Sequence, residues 1–319
     1  MAYYSKPVLY SIGVLLPLGL VYGYVAGNGS DGKSEVGELS PDNIKVYLGP
    51  EALPQQIRAV YLHNDFTFAG ERVPLEIEDV RERLERELTV NSYYHSSTIL
   101  NIKRSRRFFP VIERILAENN IPQDFKYIAV AESNLDNVVS PAGARGFWQL
   151  MPAVARSYGL EINSEIDERY NLEKATVAAT KLIRNYRDKF GSWTNAAGAY
   201  NIGEGNFKRE TGLQKEDYYY NMNFGSETNR YLFRVLALKE ILSNPGKFGF
   251  HINESERYAP WEDDLKMVTV SRSIPSLADF AHEHGMSYRE LKVYNPWLLS
   301  NKLTVATGKS YDIAVKVRE

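Results

Sequence analysis

Glu132 is the side chain in this sequence that is best placed to act as a proton donor. It follows the apolar run 127–131 (Tyr-Ile-Ala-Val-Ala), and helical spacing puts it on the same face as Ile128 and Ala129. A carboxyl group held against apolar neighbours resists ionisation, so its pKa should rise. Such a group stays protonated near neutral pH and can act as a general acid on a glycosidic oxygen. The structural alternative is a buried glutamate paired with a basic residue.

Amide, hydroxyl and glycine residues follow Glu132 in short groups. Ser140 opens the segment 140–152 (Ser-Pro-Ala-Gly-Ala-Arg-Gly-Phe-Trp-Gln-Leu-Met-Pro), whose two glycines permit a tight backbone path beside a cleft. Gln149 offers both an amide donor and a carbonyl acceptor, which suits sugar hydroxyl and N-acetyl groups. Further along, Ala-Tyr-Asn at 199–201 places an aromatic ring and an amide at the end of a predicted helix. These residue types favour a carbohydrate-binding cleft.

Composition excludes several other kinds of site. The 319 residues contain no cysteine, so there is no disulfide, no thiolate nucleophile and no cysteine-ligated metal. The five histidines are scattered without an HExxH motif, and we read His282 and His284 as a solvated pair rather than half of a metal site. The formal net charge of −2 disfavours a dedicated nucleic-acid binder. The 22 tyrosines and 4 tryptophans suit a ligand with flat apolar faces, such as a sugar ring.

The N-terminal segment predicts export. No charged residue occurs from Pro7 to Ser30, and a stretch of about 20 apolar residues is what a membrane-crossing helix needs. We expect residues 1–27 to be a signal peptide or a membrane anchor, with the anchor favoured because the run is long for a cleaved signal. Lys6 orients the bulk of the chain to the outside of the inner membrane by the positive-inside rule. The expected location is the periplasmic side of the cell envelope, either anchored or released after cleavage.

The rest of the chain divides into a helical region and a mixed tail. Residues 28–73 predict a linker and lead-in, Pro74 to Leu88 an amphipathic helix, and residues 108–242 an almost continuous series of helices. The basic cluster 103–107 (Lys-Arg-Ser-Arg-Arg) predicts a solvated helix start, and residues 251–264 a polar connector. The fold class that follows is mainly α.

Two serines mark predicted helix starts in this region, and one helix carries paired polar residues. Ser192 predicts a cap for the helix through Tyr200, and Ser226 predicts a cap for a last helix that runs to about Leu242. Glu227 and Tyr231 are four residues apart on that last helix, so their side chains share a face.

The tail, residues 265–319, predicts a compact module of the βααβ type. Residues 267–270 and 310–317 have the composition of short strands, the latter with alternating polar and apolar residues. Between them, residues 276–284 and 287–294 predict two short helices separated by Gly285.

Four motifs in order resemble one enzyme family. Glu132-Ser133, the Gly-Phe-Trp-Gln segment 146–149, the Ala-Tyr-Asn segment 199–201, and Tyr231 match the ordered signature of soluble-type lytic transglycosylases. The resemblance covers roughly residues 101–245, the core of a catalytic domain at 74–250, and implies a goose-type-lysozyme-like helical fold. The lead-in helices and the tail look like the D branch of the membrane-bound lytic murein transglycosylases.

The resemblance implies a peptidoglycan lytic transglycosylase. Such an enzyme cleaves the β-1,4 bond between N-acetylmuramic acid and N-acetylglucosamine and leaves a 1,6-anhydromuramoyl end, without cofactor or metal. Glu132 would be the single catalytic acid and base, and Tyr200 or Tyr231 would orient it. The substrate-binding residues that the resemblance implies are Ser133, Ser140, Gln149, Tyr200, Asn201 and Tyr231. The implied partners are peptidoglycan glycan strands, and the membrane through the N-terminal apolar segment; nucleic acid is excluded.

The tail resembles LysM, a small module that binds N-acetylglucosamine. Residues 291–296 and 307–313 match the second half of that module, whereas residues 273–277 (Ser-Ile-Pro-Ser-Leu) depart from the turn that borders its usual glycan groove. Glycan binding and a structural or protein-contact role for the tail both stay open. Two other functions also stay open: a lysozyme-like hydrolase of the same bond, and a non-catalytic peptidoglycan-binding scaffold.

Overall fold

A computed structural model describes residues 59–60, 62, 65–261 and 265–317. The apolar segment 1–27 and most of the 28–73 linker lie outside the described residues, so the predictions made for them stay predictions. Among the residues that are described, no helix is both long enough and apolar enough to span a bilayer.

The described chain is mainly helical, as the sequence predicts. In chain order the elements are β1 (Thr67–Phe68), β2 (Glu71–Arg72), α1 (Glu78–Tyr93), α2 (His95–Glu118), α3 (Lys126–Ser133), α4 (Pro152–Ser157), α5 (Leu172–Phe190), α6 (Trp193–Ile202), α7 (Glu204–Gln214), α8 (Ser226–Ser243), β3 (Leu265–Val270), α9 (Leu277–Glu283), α10 (Tyr288–Tyr294) and β4 (Tyr311–Lys316). The expected strand–helix–helix–strand order of the tail is confirmed.

Helix α8 is the central element of the helical region. Helices α1, α3 and α6 all pack against it, and α5 packs against α2 and α6. Apolar side chains on several faces of α8 are therefore buried, among them Leu232, Phe233 and Leu236. A helix that is apolar around most of its circumference needs neighbours on most sides. The position of α8 thus follows from its sequence.

A hairpin inside the predicted lead-in belongs to this packed region. The Phe68 ring is fully buried and meets the Phe125 ring edge-on, with the ring centres 5.1 Å apart. The Glu71 carboxylate accepts hydrogen bonds of 2.8 Å from the backbone N–H groups of Trp193 and Thr194, at the start of α6. A carboxylate at a helix N-terminus satisfies free N–H groups and complements the helix dipole. The hairpin therefore helps to fix the helix that carries Tyr200 and Asn201.

One of the two predicted helix caps is present. The Ser192 hydroxyl accepts a hydrogen bond of 3.0 Å from the Asn195 N–H, which confirms the predicted cap of α6. The prediction for Ser226 is wrong, because Gly225 occupies the cap position of α8 and no side chain caps that end. Ser226 is already the first helical residue, so its backbone lies inside the turn that it was expected to cap.

The prediction of nearly continuous helices from residue 108 to 242 is wrong in three places. Residues 134–151, 158–171 and 215–225 are mostly irregular, with only isolated bridges and short 3₁₀ turns. Asn134 and Leu135 both have φ of 53°, in the left-handed region, so α3 ends there. The first two of these stretches contribute to the site described below.

The basic cluster 103–107 is neither at a helix start nor simply solvated, so that prediction is also wrong. It lies in the middle of α2, where Arg106 forms an ion pair of 2.9 Å with Glu254. The Arg107 guanidinium lies 4.9 Å from the centre of the Trp261 ring, a cation–π distance. Helical periodicity cannot reveal partners that are about 150 residues away, so the role of the cluster in holding the connector against α2 was missed.

The tail folds around a second hydrophobic core. Strands β3 and β4 pair antiparallel, with Val268 opposite Ile313, and the two helices lie between them in the sequence. Ser276 and Ser287 cap α9 and α10 through their hydroxyl groups. The core includes one residue from the helical region, Ile166, whose side chain is 1% exposed. The helical region and the tail are therefore packed together within one compact unit.

Candidate active site

Helix α3 presents Glu132 at its C-terminal end. The helix is short because it is followed by Asn134 in the left-handed conformation, and its residues 127–130 are all buried in the core. Glu132 is in the last turn and is partly exposed, so it lies at the boundary between the core and the surface. The sequence placed Glu132 on the apolar face of its helix, and its surroundings in the structure agree with that prediction.

Tyr231 is the direct hydrogen-bond partner of Glu132. The phenol group donates to the Glu132 Oε1 atom over 2.7 Å, from α8 to α3 across the packed interface of the two helices. Tyr231 is itself only 1% exposed, so its ring cannot easily rotate away from the carboxyl group. This contact fixes one oxygen of Glu132 and leaves the other for a different partner.

Burial raises the pKa of Glu132 from 4.5 to about 7. The hydrogen bond from Tyr231 opposes this rise, as does the positive charge of Arg234, while the negative charge of Glu227 adds to it. A carboxyl group with a pKa near 7 is populated in both its acid and its base form at neutral pH. Both proton donation and proton abstraction are therefore accessible to the same side chain.

Ser133 joins the helix of Glu132 to the glycine-containing segment, which we call the 140–151 loop. Its hydroxyl lies 2.9 Å from the carbonyl oxygens of both Ala129 and Phe147, so its proton is shared between the helix and the loop. Ser133 is 4% exposed. The structure therefore places this predicted substrate-binding residue inside the protein, with its hydroxyl engaged in fixing the loop next to Glu132.

The 140–151 loop takes the tight path that its glycines suggested. Gly146 has φ of 76°, and a Cβ atom there would overlap the carbonyl group of Arg169 far inside van der Waals contact. Gln149 adopts φ of 46°, and its side-chain amide donates to the Gly146 carbonyl oxygen over 2.8 Å. The Ser140 hydroxyl accepts a hydrogen bond of 2.9 Å from the Ala144 N–H. Both predicted polar residues of the loop therefore help to shape it.

Helix α6 brings Tyr200 and Asn201 to the same region. The Tyr200 hydroxyl donates to the Trp148 carbonyl oxygen over 2.6 Å, and Asn201 accepts a hydrogen bond of 2.7 Å from Thr228 on α8. Burial raises the pKa of Tyr200 well above its usual value, and the negative charge of Glu132 adds to this rise. Helix α6 and the 140–151 loop therefore meet at Trp148.

Sequence analysis missed a buried ion pair behind the loop. Asp167 and Arg169 are 1% and 3% exposed, and the Arg169 guanidinium makes two hydrogen bonds, of 2.9 and 2.7 Å, to the Asp167 carboxylate. The same guanidinium donates to the carbonyl oxygens of Gly143 and Leu150, at 2.9 and 3.0 Å. An acidic and a basic residue two positions apart carry no periodic signal, so only the folded chain reveals their role.

No group of three or more His, Cys, Asp or Glu side chains that could hold a metal ion occurs in the described part of the chain. The chemistry that the geometry supports is proton transfer by Glu132, with Tyr231 hydrogen-bonded to it and Ser133 joining its helix to the 140–151 loop.

Comparison with known proteins identifies the domains. A family model described as transglycosylase SLT domain matches residues 109–223, and one described as soluble lytic transglycosylase C-terminal LysM-like domain matches residues 266–318. The membrane-bound lytic murein transglycosylase D proteins of two Escherichia coli strains, K12 and O6:H1, are each 27% identical over 262 residues, covering 79% of this chain and 55% of theirs. The chain thus spans about half the length of these relatives.

A solved structure, that of the 70 kDa soluble lytic transglycosylase of Escherichia coli, is 19% identical with a TM-score of 0.38 and covers 54% of this chain and 34% of that one. The family models confirm both resemblances that the sequence motifs suggested. The chain therefore carries a transglycosylase SLT domain followed by a LysM-like C-terminal domain and is homologous to membrane-bound lytic murein transglycosylase D.

Proposed function

We propose that this protein is a peptidoglycan lytic transglycosylase. Its reaction would break the β-1,4 bond between N-acetylmuramic acid and N-acetylglucosamine and form a 1,6-anhydromuramoyl end. The observation that carries the proposal is the state of Glu132, a carboxyl group with a pKa of about 7 held by a buried tyrosine within an SLT domain. The names of the relatives, which are lytic murein transglycosylases, support the same substrate.

The proposed reaction needs one acid and one base, and a single carboxyl group can serve as both. Protonated Glu132 gives its proton to the glycosidic oxygen as the bond from that oxygen to the muramoyl C1 atom breaks. The Glu132 carboxylate then takes the proton of the muramoyl C6 hydroxyl as its oxygen bonds to C1. The carboxyl group is restored and no water is consumed. A pKa near the working pH suits a group with both roles.

A second carboxylate is not required in this scheme, although hydrolysing glycosidases generally use two. Glu227 is the acidic residue whose charge acts on Glu132, but its side chain is 62% exposed and forms an ion pair of 3.0 Å with Arg234. An exposed, paired carboxylate suits a solvated rim of a cleft rather than the covalent or base chemistry of a second catalyst. We assign Glu227 to the electrostatic surroundings of Glu132.

The other predicted site residues divide into two proposed roles. Gln149, Ser140 and Asn201 are partly exposed around the site, and we propose that they contact the glycan. Tyr231, Tyr200 and Ser133 are engaged in internal hydrogen bonds to Glu132, to Trp148 and to Phe147. We propose that these three act mainly by holding the catalytic carboxyl group and the loop in place.

We further propose that the chain works in the cell envelope. Residues 1–27 would export the protein and either anchor it in the membrane or be cleaved, and residues 28–73 would link them to a catalytic domain at 74–250. The connector at 251–264 and the module at 265–319 would follow. The membrane-bound relatives support this location. Membrane fractionation followed by N-terminal sequencing of the native protein tests it: an intact N-terminus in the membrane fraction is expected for an anchor.

The activity is tested by digesting purified peptidoglycan and identifying the released fragments by mass spectrometry. We expect 1,6-anhydromuramic ends from the wild-type protein and none above background from Glu132→Gln. Glu118→Gln is the control, because Glu118 is an exposed residue of α2 that pairs only with Arg114 among the contacts described.

Two outcomes would replace the proposal. Reducing muramic ends would identify a lysozyme-like hydrolase that adds water to the same bond. Binding to peptidoglycan without any soluble product would identify a non-catalytic scaffold.

A further inference from the structure

The segment 161–169 lies between the 140–151 loop and the C-terminal module and contacts both. Its residues follow α4 and precede α5, so it belongs to the catalytic region of the chain. Neither the motifs in the sequence nor the family resemblance assign it a function. One set of its atoms contacts the module and another set contacts the loop, so the segment links these two parts of the molecule.

Backbone and apolar contacts join this segment to the module. The Leu299 N–H donates to the Glu165 carbonyl oxygen over 2.8 Å, and the Asp167 N–H donates to the Trp297 carbonyl oxygen over 3.0 Å. Between these two bonds, the Ile166 side chain enters the hydrophobic core of the module and is 1% exposed. The module core is therefore completed by a side chain of the catalytic region.

Polar side chains extend the same contact. The Glu165 carboxylate accepts hydrogen bonds from the Thr304 N–H at 2.7 Å and the Thr304 hydroxyl at 3.1 Å. The Glu161 carboxylate accepts one from the Tyr311 hydroxyl at 3.0 Å and forms an ion pair with Lys309 at 3.1 Å. A carboxylate that receives a backbone N–H bond is held more firmly than a pair of mobile surface charges. These bonds therefore fix the position of the segment 161–169 along the module.

The other side of the segment holds the 140–151 loop. Asp167, whose backbone bonds to the module, also fixes the guanidinium of Arg169. Arg169 in turn donates to the Gly143 and Leu150 carbonyl oxygens, and its own carbonyl group lies against the Cα atom of Gly146. A displacement of Asp167 would therefore move the donors that hold both ends of the loop.

The turn of the module at 273–277 is paired with the segment 303–305. By resemblance, the turn at 273–277 borders the usual LysM groove. Here Ile274 and Leu303 exchange two backbone hydrogen bonds, of 2.8 and 2.9 Å, and the Val305 N–H donates to the Ser273 hydroxyl over 3.0 Å. The segment that pairs with this turn is also the one that carries Thr304 to Glu165. These contacts favour a structural role for this edge of the module.

We propose that the LysM-like module is an intramolecular brace of the active site, and that Asp167 and Arg169 are positioning residues that connect it to the 140–151 loop. Only the expected effect of the brace on the reaction rate rests on the proposed function. The connection between the module and the 140–151 loop can be measured without substrate.

The test uses the full-length chain and two matched variants. Glu165→Ala removes a carboxylate that accepts from the Thr304 N–H and hydroxyl and pairs with Lys302. Glu290→Ala is the control, because Glu290 accepts from the Ser287 N–H and hydroxyl and pairs with Lys316, all within the module. Both changes remove a carboxylate that accepts from one N–H group and one hydroxyl and pairs with one lysine. Only Glu165 lies at the contact between the module and the catalytic region.

Hydrogen exchange of the loop amides is the first measurement. The Ser140, Arg145 and Gly146 N–H groups form backbone hydrogen bonds inside the loop region. We expect Glu165→Ala to speed their exchange by about threefold or more and Glu290→Ala to leave it unchanged, because exchange reports local opening. Unchanged exchange in Glu165→Ala would overturn the brace. This outcome does not depend on whether the protein is a transglycosylase.

Kinetics on a soluble glycan substrate are the second measurement. We expect Glu165→Ala to lower kcat by about three- to tenfold with little change in KM, since small displacements of catalytic groups reduce the rate more than binding. Arg169→Lys keeps a cation beside Asp167 but loses the planar guanidinium, in which Nε and Nη2 bind Asp167 while Nη1 donates to both Gly143 and Leu150, and we expect a loss in kcat of about tenfold or more.

Binding to insoluble peptidoglycan separates the brace from a glycan-binding module. We expect Glu165→Ala to bind as the wild-type protein does. Weaker binding with unchanged kcat and unchanged exchange would overturn the proposal in favour of glycan recognition by the module. If the wild-type protein releases no anhydro ends, the proposed function fails, and the exchange measurement alone decides the brace.

Discussion

Two carboxyl groups contact helix α8 from two different neighbouring helices, and the partners that α8 gives them differ in charge. Glu87, on α1, is 1% exposed and forms ion pairs with Arg86, with Arg230 at 2.7 Å, and with Arg234 at 3.9 Å. Glu132, on α3, receives a neutral phenol from Tyr231.

The difference comes from neighbouring positions of one helix. Arg230 and Tyr231 are adjacent in sequence, so their side chains leave α8 in different directions, one towards α1 and the other towards α3. Glu87 is surrounded by arginines, whereas at Glu132 burial disfavours the charged form more strongly than the hydrogen bond from Tyr231 favours it. The same residue type therefore forms ion pairs in one interface and, in the proposed mechanism, carries the proton in the other.

The largest expected effects come from making the same substitution at both sites. Glu132→Gln should lower activity on peptidoglycan by at least about a hundredfold and leave the fold intact, because it removes the one side chain that donates and accepts protons in the proposed mechanism. Glu87→Gln should keep most of the activity and lower the free energy of unfolding by about 2 to 4 kcal/mol, because it leaves arginines without their buried partner. Activity assays and urea denaturation at pH 7 measure the two effects. The comparison fails if both variants lose the same property.

The pH dependence of stability should differ between wild type and Glu132→Gln. Folded protein keeps the Glu132 proton up to about pH 7, whereas the unfolded chain releases it near pH 4.5. The stabilisation from this group is therefore complete below about pH 4.5 and is lost as the pH rises through 7. Glutamine does not ionise, so between pH 4.5 and pH 8 the variant should gain about 1 to 3 kcal/mol relative to wild type. A constant difference across urea denaturations at both pH values would contradict this expectation.

Tyr231→Phe should lower kcat/KM by about tenfold and move the alkaline limb of the pH profile to higher pH. The phenol both orients Glu132 and lowers its pKa. Without the phenol, Glu132 is less well oriented and its pKa rises. Tyr127→Phe is the matched control, because Tyr127 is likewise a buried tyrosine whose hydroxyl joins α3 to α8, through a contact of 2.9 Å with Ser243. A shift of the limb to lower pH in Tyr231→Phe would show that another group sets it.

The smallest effect is expected from Glu227→Gln. The negative charge of Glu227 raises the pKa of Glu132, and its loss also removes one ion-pair partner of Arg234, whose positive charge lowers that pKa. Both changes act in one direction, so the alkaline limb should move to lower pH by less than about one pH unit. Glu118→Gln serves again as the control, since it removes one exposed carboxylate elsewhere. A loss of activity as large as that of Glu132→Gln would make Glu227 a second catalyst.

The parts of the site that were predictable from sequence are those fixed by local spacing. The apolar face that carries Glu132, the cap by Ser192 and the tight turn at Gly146 each depend on residues within a few positions of one another. The order of strands and helices in the tail was predictable for the same reason.

The parts that were missed depend on contacts between distant residues. Glu165 and Thr304 are 139 positions apart, and Glu71 and Trp193 are 122 positions apart. Neither pair produces a period in the sequence. Asp167 and Arg169 are close in sequence, but their role depends on the carbonyl groups of Gly143 and Leu150, which lie 26 and 19 positions before Arg169. Tertiary packing, and not local propensity, placed these groups.

The insertion of Ile166 into the module core has a consequence for how the protein denatures. Because Ile166, a residue of the catalytic region, completes the hydrophobic core of the tail, the catalytic region and the tail should melt as one cooperative unit. Scanning calorimetry should give a single heat-absorption peak for the wild-type protein. Ile166→Ser should split it, with the tail melting first, because that core would lose the apolar side chain that closes it. Two separate peaks in the wild-type protein would show that the cores unfold independently.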